Sequence, residues 1–594
     1  MSAEVMNPFS VMSPEKLDAD EAERLFVEVF SDFPQVETTG NAVIVGARGS
    51  GKSMMFRCLL PDVMMKRNKC SFRDLPFVAF HVPIKNTQLN ITELRRIDNH
   101  YASALINEHF FVTAMLIEIC GQIRKYQKDM QATAAELKHF YCNIFVPHAE
   151  IAGCSNLPDM CGKYEDCFDK IGLYFRKLYQ QFIKFVFSFS PNEDVSLPAF
   201  DMPLLSYRMF LHPFLLGIRE FHGFPSGKNI HIFIDDADNL NKTQTQILNS
   251  WLGMRIQPSI SLKVSTQIGK YKSYLSTDGT LVESPHDYQK IDISDKYTTS
   301  QTTYFKRVRE IVEKRLAING INKTAEQFFP VYAKQEHAID VERRRLMRLW
   351  EEGKGHGNRK EDDALRYARP NYIKHLGGVS KSRSKYMYAG FEQLVHLSSG
   401  VVRVFLESAS LMYDAARKRG SKAIEKEGIP YSLQDEVVRS ESEAYLFSRF
   451  DELGADVGKR HAGNSQSDVK MLMNLIKSMG STFFNILVSD KSERRVFSIA
   501  LSNEPDDEIK HVLDLGVEMG YFQASTIGRK DGAGRTRLYI MNRMLAPQFN
   551  LDPTGFAGYL FVTNDALRAA MYNQRLLRDD APDGSDPEQL TFFD

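Results

Sequence analysis

NAVIVGARGSGKS, Asn41 to Ser53, joins a short apolar run to a glycine loop. Ala42–Val45 is apolar and short enough for a buried parallel strand. Behind it stands G-x-x-x-x-G-K-S, made of Gly46, Ala47, Arg48, Gly49, Ser50, Gly51, Lys52 and Ser53, and from Met54 to Leu60 the pattern turns helical. Strand, glycine loop and helix in this order form the context in which the motif is a phosphate-binding loop. Glycines let backbone N–H groups turn inward onto phosphate oxygens, and the helix N-terminus adds a favourable dipole. Lys52 is expected to reach the β- and γ-phosphates of a nucleotide, and Ser53 to hold Mg²⁺ through its hydroxyl. Gly46 to Met54 are therefore the candidate nucleotide-binding residues.

Such a loop needs a second acidic site. Residues 230–238 read IHIFIDDAD: a second buried strand with Asp235 at its end. Asp235 is the expected Walker B carboxylate and second metal-site residue. Asp236 occupies the place where many such ATPases carry a glutamate that polarises water; as an aspartate it is shorter by one methylene, and hydrolysis is expected to be slow. Asp238 reads as a cap for a helix near Thr243–Leu252. Further strands are expected at Phe77–Val82, Ser261–Thr266 and Tyr288–Ile293, with Thr266 and Gln267 facing the γ-phosphate. Five apolar strands separated by helices imply a parallel, helix-covered sheet with its ligand at the strands' C-terminal ends.

P-loop, paired Walker B acids and a polar sensor strand together resemble the AAA+ superfamily. Gly400-Val-Val-Arg403 resembles its sensor 2 motif, in which the arginine reaches the γ-phosphate from a lid helix. A helical pattern over Asp468–Ser481, a second over Asp506–Met519, and strands at Gly520–Thr526 and Arg535–Met541 around the glycine-rich 528–534 read as a winged helix. Base, lid and winged helix resemble the origin-recognition/initiator type of AAA+ ATPase. The phrases RPNYIKHLGG, YAGFEQLVHLSSGVVRVFLE and NRMLAP are similar to a bacterial stand-alone branch whose members are accessory or defence-associated.

The resemblance implies an α/β AAA+ base, with a parallel five-stranded sheet and helical insertions, then a helical lid and a C-terminal winged helix. It favours ATP with Mg²⁺ as cofactors and makes Lys52, Asp235, Asp236 and Arg403 the catalytic candidates. It divides the chain into an N-terminal helical segment (1–40), a base (41–324) with an aromatic-rich helical insertion (about 125–228), a charged insertion (325–388), a lid (389–430), a winged helix (440–550), and an extension with an acidic tail (551–594). Arg309 and Arg315 are candidates for the arginine finger that AAA+ subunits lend to a neighbour.

Composition limits the alternatives. A chain of 594 residues is too long for one core, and 43% hydrophobic with 25% charged residues is ordinary for a globular protein. Lys+Arg and Asp+Glu are both 75, so no overall field draws the chain to nucleic acid or anionic lipid. No charge-free apolar stretch predicts a membrane span and no secretory signal is visible, so a cytoplasmic location is expected. Seven cysteines do not suggest a disulfide framework, and the spacing of Cys142, Cys154, Cys161 and Cys167 beside His148 is looser than zinc sites use.

DNA binding is equivocal in the sequence. The helix before the wing carries Asp506, Asp507, Glu508, Asp514 and Glu518 against Lys510, which repels phosphate. The wing carries Arg529, Lys530, Arg535 and Arg537, and the charged insertion holds 14 Lys/Arg against 8 Asp/Glu between Lys334 and Lys385. Arg343, Arg344, Arg345, Lys381 and Arg383 are either phosphate contacts or a solvated helix face. The tail ends in Gln589-Leu590-Thr-Phe592-Phe593, similar to the Q-L-x-x-F peptide that docks bacterial proteins on the replication sliding clamp. Three functions stay open on these residues. One is an ATP-driven switch working by self-association or with a separate effector, in an anti-phage or mobile-element setting. Another is a DNA-binding initiator or loader. The third is a nucleotide-stabilised scaffold.

Overall fold

The computed structural model describes residues 7–10, 13–27, 33–84, 94, 96–97, 99–189, 198–254, 259–293, 301–355, 359–378, 385–420, 424–448, 450–451, 466–489, 495–528, 534–554 and 558–577. They fall into two compact units, Met12–Ser294 and Met1–Val11 with Asp295–Asp594.

The first unit is built on five parallel strands: β1 (Ala42–Val45), β2 (Phe77–Pro83), β3 (Asn229–Asp235), β4 (Ile260–Thr266) and β5 (Gln289–Asp292). Their spatial order is β2-β3-β4-β1-β5, so the first strand lies between two late ones. All five are where the apolar runs placed them. The register sets Val45 beside Thr266 and Pro83 beside Asp235. The polar residues that follow these positions therefore gather at one end of the sheet, the end that α1 (Lys52–Cys58) enters. Phe56 of α1 stacks on Phe233 of β3 at 4.6 Å, which locks the loop helix to the strand that ends in Asp235.

The helical insertion starts earlier than the aromatic pattern suggested. Its first helix, α2, runs over His100–Tyr126 and packs on both β2 and α3 (Cys167–Phe187). The expected start near residue 125 falls within α2, close to its C-terminal end. Trp251, on α4 (Lys242–Gly253), stacks between Phe111 and Tyr207, each 5.0 Å away, and its indole N–H donates to Glu108 at 2.9 Å. This buried cluster welds the insertion to the sheet's helix layer.

Backbone approach within the insertion is close at Gly223. A Cβ there would lie 1.7 Å from the Met130 carbonyl oxygen. Backbone cannot retreat as a side chain tip can, so Gly223→Ala is expected to cost about 1–3 kcal/mol or more. A fall in melting temperature of the full chain measures it.

The N-terminal segment is tied to the loop helix. Arg57 donates from Nε and Nη2 to the Leu17 carbonyl, at 3.2 and 3.1 Å, and pairs with Asp62 at 2.8 Å. Lys125 of α2 reaches the same carboxylate at 2.5 Å. Burial alone would raise the Asp62 pKa; bonds from Arg57 and Lys125 overcome it and hold the carboxyl below its usual range.

The second unit opens with α5 (Gln301–Ile318), which the sequence reading had assigned to the base. A hairpin of α6 (Ala333–Glu351) and α7 (Lys360–Gly378) forms the charged insertion. Its arginines are mostly spent locally: Arg343 and Arg344 pair with Asp340, and Arg345 with Glu342. That is a solvated helix face. Lys381 and Arg383 lie outside the described residues. After the hairpin come α8 (Phe391–Leu397) and α9 (Val402–Lys418), within the stretch expected as the lid, and then α10 (Tyr431–Leu446).

Beyond it come α11 (Gln466–Val488), β6 (Val496–Leu501), α12 (Asp507–Glu518), β7 (Phe522–Gly528), β8 (Arg535–Met541), β9 (Gly558–Val562) and α13 (Asn564–Asn573). The sheet order is β7-β8-β6-β9, antiparallel except for the parallel β6–β9 pair. Both expected helices and both expected strands occur here. β6, β9 and α13 were not foreseen, and residues 558–577 belong to this sheet domain rather than to an extension. β9 supplies the edge that β6 would otherwise expose, and α13 packs on α11 and α12.

Two helices, His100–Tyr126 and Asp468–Val488, are long and apolar enough by composition to cross a bilayer. Each is a packed core helix, with 61% and 67% of its apolar window buried.

Candidate functional site

The loop between β1 and α1 is shaped by its glycines. Gly49 and Gly51 take φ of 81° and 108°, the left-handed region that side chains resist. Gly46 is pressed by Ile293, whose Cγ1 would lie 2.3 Å from an added Cβ. Its N–H donates to the Thr266 carbonyl at 3.2 Å, anchoring the loop to the sensor strand. Arg48 is exposed, and Ala47, Gly49, Gly51, Ser53 and Met54 are half-buried. Ser50 is buried and its hydroxyl has no partner, an orphaned polar group inside the loop.

Lys52 is buried and folds back on this loop, donating to the carbonyls of Gly46 at 2.8 Å and Ala47 at 3.0 Å. Burial lowers its pKa, and the charges of Asp235, Asp236 and Asp238 pull the other way. A cation held under three carboxylates, beside an unsatisfied hydroxyl and a glycine cradle, suits a polyanion that arrives with a divalent metal. The donors present thus fit a nucleoside triphosphate and Mg²⁺.

Asp235 ends β3 and is almost fully enclosed. Burial would raise its pKa, but bonding from His81, Ser265 and Ser53 brings it below the usual carboxylate range. The Ser265 hydroxyl donates to Oδ1, and His81 Nε2 lies 3.3 Å from Oδ2. Asp236 follows with φ 57° and ψ 44°, a left-handed conformation unusual for a residue with a side chain. Its N–H donates to Ser265 Oγ at 2.9 Å and to Asp235 Oδ1 at 3.1 Å, and these bonds hold the strained peptide. Burial, with the charges of Asp235 and Asp238, pushes the Asp236 carboxyl up to about 6. An acid poised there is a competent general base near neutral pH.

Asp238 does not cap α4. The cap is Asn241, which accepts from Gln244 N–H and receives Gln244's side chain on its own N–H. Asp238 instead accepts from Gln267, from N–H at 3.1 Å and Nε2 at 2.9 Å. The aspartate is diverted because Asn241 already caps α4, while the loop after β4 supplies two donors that need an acceptor. Thr266 is buried at the end of β4, and Gln267 is half-buried, its amide directed by Asp238.

His81 and Ser265 are site residues that the sequence reading missed. The signal for His81 was a histidine interrupting the apolar run FVAFHV near the C-terminal end of its strand, where ligands of parallel sheets collect. Ser265 stands beside Thr266 in SLKVST, one position from the residue singled out.

In the second unit, Ser399 and Gly400 both adopt positive φ, 51° and 82°, and turn the chain into α9. The Ser399 hydroxyl accepts from the Arg543 N–H at 2.8 Å, which pins the turn. Arg403 is in the first turn of α9, half-buried, and makes no hydrogen bond or ion pair among the described residues. Of the two finger candidates, Arg315 is a half-buried anchor: its Nη1 donates to the Pro8 and Ser10 carbonyls at 3.0 and 3.1 Å. Arg309 is exposed and paired with Glu326 at 2.7 Å.

The acids of α12 are engaged within the domain. Asp506 pairs with Arg568 of α13, Glu508 accepts from the Tyr572 hydroxyl at 2.5 Å, and Asp514 faces Arg537 at 3.7 Å. Arg535 donates to the Thr526 carbonyl at 3.2 Å. Arg529, Lys530, Gln589, Leu590, Phe592 and Phe593 lie outside the described residues. All seven cysteines are free thiols, and no metal-binding cluster occurs among the described residues.

The model of the ORC-CDC6-like family matches residues 7–354 and 348–561. A solved structure of Cdc6p from Pyrobaculum aerophilum aligns over 89% of this chain and 94% of that one, at 12% identity and a TM-score of 0.28. No curated protein matches this sequence.

Proposed function

The chain belongs to the ORC-CDC6-like family, and from that membership we propose that it is an AAA+ switch that binds and hydrolyses ATP to control a protein partner. The observation that carries the reading is the poised Walker B pair: Asp235 held ionised, Asp236 pushed up to about 6, both facing Lys52.

Backbone N–H groups of residues 46–54, the Ser50 hydroxyl and Lys52 would hold the phosphates, and Ser53 with Asp235 the Mg²⁺. Bound there, ATP and Mg²⁺ supply the transferable phosphoryl group and the charge that neutralises it. Asp236, ionised above about pH 6, takes a proton from water. Thr266 and Gln267 orient polar groups at the end of the same sheet, with Asp238 fixing the Gln267 amide. Arg403, free of other partners among the described residues, is the lid arginine available to report nucleotide occupancy.

A protein partner, whether a second copy or a separate effector, is favoured over DNA. Asp506, which caps α12, and Glu508 and Asp514 on it repel phosphate even while they pair with α13 and β8. The winged-helix reading of this domain, with Arg535 and Arg537 on β8, is what supports the initiator or loader alternative. An anti-phage or mobile-element setting follows only from the sequence resemblance.

Steady-state ATP turnover of the full chain, with and without duplex DNA, tests the reading. Turnover indifferent to DNA is expected. A several-fold rise with DNA, steeply reduced by salt, would overturn the protein-partner reading in favour of an initiator.

A further inference from the structure

The edge strand β2 carries an unusual clamp. His81 presents its outward N–H and C=O at the side of the sheet that no strand covers among the described residues. Gln122, on insertion helix α2, satisfies both. Its Oε1 accepts from the His81 N–H at 2.9 Å, and its Nε2 donates to the His81 carbonyl at 2.7 Å. One side chain thereby does what a neighbouring strand would do, and at a single residue.

That residue is the one whose ring reaches Asp235. His81 Nε2 lies 3.3 Å from Oδ2, while the ring of Phe56 on α1 meets the imidazole edge-on at 6.5 Å. Ser265 holds the other carboxylate oxygen. The carboxylate's orientation is therefore fixed on one side by β4 and on the other by a relay that begins in the insertion. Gln122 lies near the C-terminal end of α2, which continues into the aromatic bundle around α3.

We propose that the helical insertion governs metal binding: Gln122 fixes the His81 peptide, and His81, as a positioning residue, sets the Asp235 carboxylate for Mg²⁺. The inference rests on the nucleotide reading given above. It assigns the insertion a role in the ATP site, and makes a partner that shifts α2 a regulator of Mg²⁺ affinity.

The test is a titration of the full chain with a fluorescent ATP analogue, first in EDTA and then with rising Mg²⁺. His81→Ala and Gln122→Met are expected to bind the metal-free analogue as the wild type does. They should need about tenfold more Mg²⁺ for half-saturation, the loss typical when a partner behind a metal ligand is removed. His81→Gln, whose amide nitrogen reaches as far as Nε2, should recover most of the loss. Ile119→Val, a buried change on α2 that leaves the Gln122 clamp intact, should not shift the midpoint. Melting curves without nucleotide identify a variant that has unfolded, in which case His81→Ala against His81→Gln decides.

Unchanged Mg²⁺ midpoints in folded His81→Ala and Gln122→Met overturn the inference and leave the nucleotide reading standing. An equal shift in Ile119→Val also overturns it, since packing alone then explains the effect. A wild-type chain that binds no nucleotide overturns the nucleotide reading, and the inference with it.

Discussion

Lys52→Ala is expected to reduce ATP turnover by at least about 10²–10³, the cost of deleting one preorganised electrostatic group from a buried site. Lys52 sits inside the loop on the Gly46 and Ala47 carbonyls, and it is the charge that opposes Asp235, Asp236 and Asp238. Its loss has two consequences. The phosphates lose their buried cation. In addition, Asp236 loses the Lys52 charge that lowers its pKa, so that carboxyl moves further up from about 6. Residual turnover in the variant should therefore rise with pH over a range displaced to higher pH than in the wild type. Fluorescent-analogue binding and a pH series of steady-state rates measure the two effects separately. Wild-type binding and turnover in Lys52→Ala would exclude the loop as the nucleotide site.

Asp236→Asn should separate binding from hydrolysis. An amide cannot take the proton of water, so turnover should fall by about 10²–10⁴, the usual contribution of a positioned general base. Analogue binding should persist, because Lys52, Ser53 and Asp235 are untouched. Stability should move the opposite way. The Asp236 carboxyl is raised, by burial first and then by Asp235 and Asp238, so its ionised form burdens the folded state above about pH 6. The sign follows from linkage: the folded chain binds this proton more tightly than the unfolded chain, so the penalty is relieved as pH falls through about 6 toward the ordinary carboxylate value. At pH 7.5 the variant should melt at a higher temperature than the wild type, and the gap should narrow below about pH 6 and close only below the ordinary carboxylate value of 3.8. Equal melting temperatures at both pH values would show that Asp236 is not held under like charge.

Much of the site was legible because its signals are local. The loop Gly46–Ser53 and the strand ending in Asp235 are contiguous in the chain, and each requires its own residue types within a few positions. Apolar runs of strand length placed all five strands of the first sheet. Two kinds of feature escaped. β6 and β9 are mutual neighbours only after the chain returns across the domain, and neither has a turn signal that pairs it with a known partner. Asp238 has the residue type of a cap, but the choice between capping α4 and binding Gln267 depends on which donors the fold leaves unsatisfied.

What the sequence by itself determined was the set of candidate phosphate-binding elements: the glycine loop, Lys52, Ser53, the strand ending in Asp235 and the alternation of strand and helix that makes their sheet parallel. Those properties follow from backbone freedom, charge and periodicity over short spans. The tertiary structure alone decided how the carboxylates behave. Ser265 reaches Asp235 from 30 positions away and His81 from 154, while Gln122 grips His81 across 41. Hydrogen bonding and pKa depend on distance in space, and the sheet order β2-β3-β4-β1-β5 is what brings these groups within reach.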